Sequence, residues 1–212
     1  MLFVKRRLIL VGAGGQGRAV AEAARAARFR VLGFLDDEKQ GKYILGSTAE
    51  AGRFARWAGF LLCVGDNAGR RALAKALGPL CYETLVHPTA WVSPAAALGE
   101  GTVVLPFAFV GPGAAVGKHC IVNTAAVVEH DCALGDFCHI GPHATLAGGA
   151  AVGEGGFVGA AACVKNGLRL APWCTLGAGG AAVCDLGSGT YVGVPAKRLE
   201  EVCKAVHERD LR

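Results

Sequence analysis

From Val92 onward the chain carries an aliphatic residue at every sixth position. The series runs Val92, Leu98, Val104, Val110, Val116, Val122, Val128, Leu134, Ile140, Leu146, Val152, Val158, Val164, Leu170 and Leu176, without an exception. The residue two before each is small in every case but Leu168, and glycine often follows. A six-residue period belongs to the parallel β-helix, in which each hexapeptide makes one flat face and a corner. Three faces close a coil, so the array predicts five coils, a prism about 24 Å tall at an inter-strand spacing of roughly 4.8 Å. The aliphatic side chains point inward and stack, and the small ones relieve crowding at the corners.

The first 85 residues follow a different pattern. Residues 8–11 are a short apolar run closed by glycines, and Ala19, Val20, Ala23, Ala24 and Ala27 then recur at helical spacing. A strand over 30–35, an acidic pair, a helix near 48–57, the run FLLCV at 60–64 and a helix over 68–77 follow. This alternation predicts a small parallel sheet carrying helices. From about Pro195 the six-residue period stops, and Leu199, Val202, Cys203 and Val206 trace a helical stripe. A C-terminal helix there covers the last coil against edge pairing. The divisions are 1–85, 86–194 and 195–212.

Composition narrows the function. The 32 glycines are about twice average usage and follow no Gly-X-Y period, so they mark turns and close backbone approaches. The net charge of +5 is scattered; Arg70, Arg71 and Lys75 form the nearest cluster, too small for nucleic acid. Those three suit a solvated helix face, or a small phosphorylated ligand. Nine cysteines, an odd number without a C-x-x-C, and no signal peptide imply a reduced, cytoplasmic setting. Cys120, Cys132, Cys138 and Cys174 fall in the small-residue register of the repeat, which makes them packing residues. The apolar run after Arg7 is too short to span a membrane.

Gly12, Gly14 and Gly17 of GAGGQG fit G-x-G-x-x-G between a strand and a helix. Such a loop sets backbone N–H groups and a helix N-terminus against phosphates, or serves packing alone. Asp36 or Asp37, ending the second strand, is placed for ribose or a base. The chain leaves for the β-helix where the second half of a dinucleotide fold begins, so a mononucleotide fits better than NAD.

The hexapeptide array, the segment EHDCALGDFCHIGPHATLAGG and the closing VGVPAK resemble the hexapeptide-repeat acyltransferases. With GAGGQG and GFLDD in front, the chain is similar to the sugar acetyltransferases of the bacillosamine pathway and the sialic acid O-acetyltransferase group. The resemblance implies an α/β, half-Rossmann-like N-terminal domain, then a left-handed β-helix that assembles as a homotrimer. It also implies active sites between neighbouring prisms, acetyl-CoA along the interface and a nucleotide-linked sugar on the N-terminal domain. His130 corresponds to the family's base and Asp131 to the acidic residue that follows it, with Glu129 a rival for that role. His139 corresponds to a position that meets acetyl-CoA or the approaching sugar, Ala160 and Ala178 to positions whose backbone meets CoA, and the Gly148 N–H is the oxyanion candidate. Gly14, Gly15, Gln16, Gly65, Asp66 and Asn67, with Asp36 and Asp37, line the nucleotide-sugar crevice by the same likeness.

The chemistry needs a base for the attacking amine or hydroxyl, an oxyanion donor and a thioester held in line. No metal and no covalent acyl-cysteine is required. The preferred acceptor is the amine of a UDP-linked 4-amino-4,6-dideoxy sugar; sugar O-acetylation is the alternative. Two rivals share the solenoid: a γ-type carbonic anhydrase using His130, His139 and His143, and a non-catalytic nucleotide-sugar sensor.

Overall fold

The computed structural model describes residues 6–200. The N-terminal sheet has strands β1 (Arg7–Val11), β2 (Arg30–Leu35), β3 (Ile44–Gly46) and β4 (Gly59–Leu62) in the order β3-β2-β1-β4. All of its pairings are parallel. Leu8 to Val11 and Phe60 to Leu62 are buried, as expected of central strands covered on both sides. Helix α1 (Gly15–Ala26) buries Val20, Ala21, Ala23 and Ala24. Helix α2 (Asn67–Leu77) begins at Asp66, whose side chain accepts from the Gly69 N–H at 2.6 Å.

Two expectations for this domain change. The helix near 48–57 is only a 3-10 turn, Thr48–Arg53, opened by a Ser47–Glu50 capping box. Gly52 weakens helical continuation and the chain must enter β4 at Gly59. Strand β3 is three residues long, too short to carry a period.

The solenoid forms where the six-residue series requires it. Trp91–Val92, Phe109–Val110, Val127–Val128, Thr145–Leu146, Cys163–Val164 and Ala181–Ala182 stack as one parallel face, each rung eighteen residues from the next. Its outward column begins with Trp91 and Phe109, whose rings stack at 4.8 Å; we call it the aromatic face. A second face presents Ala97, Ala115, Ala133, Ala151 and Arg169, the alanine face. The third presents Leu85, Val103, Ile121, His139, Phe157 and Thr175, and the N-terminal domain packs on its lower rungs. This covered face shares one apolar cluster with Leu8, Leu10, Val20 and Leu61.

The prism makes about six turns, one more than the aliphatic series predicts. Leu85–Val86 already pairs with Val103–Val104, and Ala182 takes the inward position where the series has lost its large residue. Two side chains per flat point inward, the aliphatic one and the small one two before it. The turns themselves fall one residue earlier still: every sixth residue from Gly101 to Gly179 has positive φ, including Asp131, Phe137 and His143. The four repeat cysteines are therefore just inside the corners, in the narrow apex where only a small side chain fits. The Sγ atoms of Cys120, Cys132 and Cys138 donate to backbone carbonyls, Cys120 to Gly135 and Cys138 to Gly153 both at 3.1 Å. At the C-terminus Lys197–Arg198 pairs antiparallel with Gly189–Val192. Val202, Cys203 and Val206 of the predicted capping helix lie outside the described residues.

Candidate active site

His130 stands at the corner between the aromatic and alanine faces. Asp131 occupies the turn itself, at φ 59°. Its Oδ2 is 2.9 Å from His130 Nδ1, while Glu129 reaches only the His130 backbone N–H, at 3.4 Å. Both side chains of the dyad are exposed. The hydrogen bond to Asp131 raises the His130 pKa above its ordinary value, against slight desolvation, and the charges of Asp131 and Glu129 add to it.

Coil geometry makes room for this pair. One coil above His130 lies Gly148, where a Cβ would run into the imidazole at Nε2. One coil below Asp131 lies Gly113, where a Cβ would meet its carboxylate. Gly113 was not among the sequence candidates; stepping eighteen residues from Asp131 finds it. The Gly148 carbonyl accepts from Gly167, and its N–H reaches no backbone carbonyl among the described residues.

A second site lies at the C-terminal edge of the N-terminal sheet. The chain runs from β1 to β2 on one side and returns to β4 on the other, so the switch point falls between β1 and β4. The loops there are the GAGGQG turn and residues 64–67. Gly17 is held close, since a Cβ would strike the Gly12 carbonyl, whereas Gly14, Gly15 and Gly65 face open space. Gln16 follows in the first turn of α1. Asp36 Oδ2 accepts from the Ala13 N–H at 2.7 Å and Oδ1 from Glu38 and Lys39. Burial opposes ionisation of Asp36, but those backbone donors outweigh it and lower its pKa. Asp37 caps the following turn through Thr48, at 2.8 Å. The two aspartates thus fix the loops at this end of the sheet.

The 64–67 loop also touches the prism. Asn67 Nδ2 donates to the carbonyls of Gly155 and Gly156, both at 3.1 Å, so its amide is engaged inside the chain. His139 lies on the covered face with Nδ1 3.2 Å from the Gly65 carbonyl and Nε2 3.0 Å from Asn123 Nδ2. An N–H on Nδ1 and a lone pair on Nε2 satisfy both contacts. Burial drives its pKa down to about 4, so the ring is neutral. Above it, Gly65, Asp66, Asn67, Phe157, Trp173 and Thr175 enclose a cleft of about 290 Å³. Ala160 and Ala178, one coil apart and exposed, line the far edge of the same face.

Arg70 departs most from expectation. The sequence groups it with Arg71 and Lys75 on a solvated face or against a small phosphorylated ligand, but it is 1 % exposed, whereas Arg71 remains outside, paired with Glu154 at 2.9 Å. His130, His139 and His143 stand on three different parts of the prism, and among the described residues no three metal-ligating side chains gather. Burial pushes the Cys132 thiol up and the Cys174 thiol up to about 11. No described helix is long and apolar enough to cross a membrane.

Comparison with known proteins accords with this arrangement. Residues 7–77 match the PglD N-terminal domain family. An alignment of 108 positions, covering 46 % of the chain and half of that relative's length, is 36 % identical to UDP-N-acetylbacillosamine N-acetyltransferase of Bacillus subtilis. The acetyltransferase domain of PglB from Neisseria gonorrhoeae superimposes with a TM-score of 0.87 at 39 % identity, over 92 % of this chain and all of that one. PerB of Caulobacter crescentus, solved with CoA and GDP-perosamine, gives 0.85 at 34 % identity, over 93 % and 98 %. The fold is thus shared along nearly the full chain, which belongs to the hexapeptide-repeat sugar acetyltransferases.

Proposed function

We propose that this protein transfers the acetyl group of acetyl-CoA directly to the amine of a UDP-linked 4-amino-4,6-dideoxy sugar, with His130 as general base. The observation that carries the base assignment is the His130–Asp131 hydrogen bond at an exposed corner beside Gly148. Asp131 orients the ring and stabilises the imidazolium that forms. The amine attacks the thioester carbonyl while Nε2 takes its proton, and the Gly148 N–H steadies the oxyanion. Collapse of the tetrahedral adduct breaks the C–S bond, and CoA departs as the thiol after receiving that proton. The raised pKa values of Cys132 and Cys174 favour this direct route over an acyl-cysteine.

Acetyl-CoA runs along the Ala160–Ala178 edge, where small side chains admit it closely, and His139 meets the thioester or the sugar as a neutral ring. Gly14, Gly15, Gln16, Asp36, Asp37, Gly65, Asp66 and Asn67 hold the nucleotide end at the β1–β4 switch point. Within one chain the His130 corner and the Ala160 edge are separated by the whole aromatic face. A complete site therefore takes His130 from a neighbouring prism, which supports the homotrimer. The UDP preference rests on likeness to the Bacillus subtilis enzyme's substrate name.

The test is a thiol-release assay with acetyl-CoA against UDP-, GDP- and dTDP-linked amino sugars and free sialic acid. Turnover with one nucleotide amino sugar, largely lost in His130→Ala, establishes the reaction and its base. Turnover on sialic acid alone moves the acceptor to a hydroxyl, and no thiol release with any of them removes the acetylation reading.

A further inference from the structure

The Arg70 guanidinium lies between the two domains and is surrounded by uncharged acceptors. Nε donates to the His119 carbonyl at 2.8 Å. Nη1 donates to Val64 O at 2.8 Å and Gly65 O at 3.3 Å, and Nη2 to Asn67 Oδ1 and Phe137 O, both at 2.8 Å. All five N–H groups of an arginine are thereby matched. His119 and Phe137 are corner residues one coil apart, and Gly155, held by Asn67, is the corner of the next coil. Arg70 and Asn67 together thus fasten one short loop to three successive rungs of the prism.

Packing alone gives no reason for a cation here. A buried charge is costly, and apolar groups of similar volume often fill such a place with equal or better stability. What an apolar side chain cannot do is draw the Val64 and Gly65 carbonyls toward the prism and fix the Asn67 amide between the two. With those groups held, the Cα of Gly65 is left facing open space, at the lip of the cleft above His139. His139 completes the grip through the Gly65 carbonyl. We infer that Arg70 is a positioning residue for the acceptor: it sets the 65–67 loop, and with it the nucleotide-sugar, at a fixed height on the prism relative to the acetyl donor. This rests on the assignment of that loop to the acceptor site.

The experiment compares Arg70→Lys and Asn67→Ser with wild type. Steady-state constants are taken for acceptor and acetyl-CoA, with thermal midpoints and calorimetric titration of UDP, GDP, dTDP and CoA. Misplacement of a bound group by a fraction of an ångström to an ångström predicts a rise in acceptor KM of about 10- to 100-fold. The KM for acetyl-CoA and the Kd for CoA stay within about twofold of wild type, because the Ala160–Ala178 edge makes no contact with the fork. A folded Arg70→Lys with unchanged acceptor KM overturns the inference, as does a parallel loss of both substrates that tracks the thermal midpoint. Should Arg70→Lys not fold, Asn67→Ser carries the same test with the guanidinium left in place, since it removes one acceptor of the fork and the amide bonds to Gly155 and Gly156. Wild-type protein that binds no nucleotide shows instead that the acceptor assignment itself fails, and the positioning role falls with it.

Discussion

At the His130 corner the shaping neighbours are one coil away: Gly148 above the imidazole and Gly113 below the Asp131 carboxylate. At the Gly65 loop they come from far along the chain, with His119 49 residues from Arg70 and Gly156 89 residues from Asn67. The corner inherits its geometry from a repeated ladder, in which each rung is hydrogen-bonded to the next. The loop has no ladder, and its position depends on a polar seam of Arg70, Asn67 and His139. Under the proposed function, proton transfer belongs to the region where geometry is repeated and acceptor placement to the region where it is made once. Damage to the corner should appear in kcat, and damage to the seam in acceptor KM.

His130→Ala probes the corner hardest. Loss of a general base predicts a fall in kcat of roughly a thousandfold, with an unchanged thermal midpoint because the side chain is exposed. Gly148→Ala comes next: its methyl displaces the ring without touching the core, and a decrease of about a hundredfold is expected. Asp131→Asn should cost about ten- to a hundredfold, and it carries a pH signature. If His130 is the base, it is free only above its raised pKa, and the acid limb of kcat/KM should lie above the ordinary histidine value of 6.5. The Asn variant moves that limb downward while the plateau drops. A limb that stays put would pass the orienting role to Glu129.

The seam predicts a pH effect on stability. His139 is neutral in the fold, with a pKa of about 4, and ordinary when unfolded. Between those values the unfolded chain holds the extra proton. Stability is therefore full above about 6.5 and declines as pH falls toward 4, by about 3 kcal/mol for the whole shift. Chemical denaturation at pH 7 and pH 4.5 reads this, and His119, also pushed down by burial, acts in the same direction. The smallest effect is expected from replacing Cys120, Cys132, Cys138 and Cys174 together by alanine. Turnover should stay within about twofold, since none of the four is asked to form a covalent bond. Loss of activity in a folded quadruple variant would return the acyl-cysteine route.

The same contrast explains what could be read in advance. The prism was legible because one residue class recurs at one spacing, and the inward register of Val104 through Leu176 holds in the structure. The extra turn was hidden where Ala182 breaks the residue class without breaking the register. Strands β1, β2 and β4 and both helices were visible in apolar runs and helical spacing, while β3 was too short to show. At the candidate site His130, Asp131 and Gly148 fall together, as coil arithmetic allows. Arg70 was misjudged because helical spacing puts it beside Arg71 and Lys75, and only the docking of α2 against the prism decides which of them is enclosed. Nor could the sequence disclose that Asn67 and His139 find their partners inside the chain.

The eighteen-residue coil also restricts how chain length can change. Removing six residues between His130 and Ala160 would rotate everything downstream by a third of a turn, moving the Ala160–Ala178 edge onto another corner of the prism. Removing eighteen would restore every face and lower that edge by one rung, about 4.8 Å. Single insertions disrupt the register of all later coils. The stretch between His130 and the Ala160–Ala178 edge can therefore lengthen or shorten only in whole coils, and under the proposed function each coil would alter the reach demanded of the acetyl donor by a fixed increment.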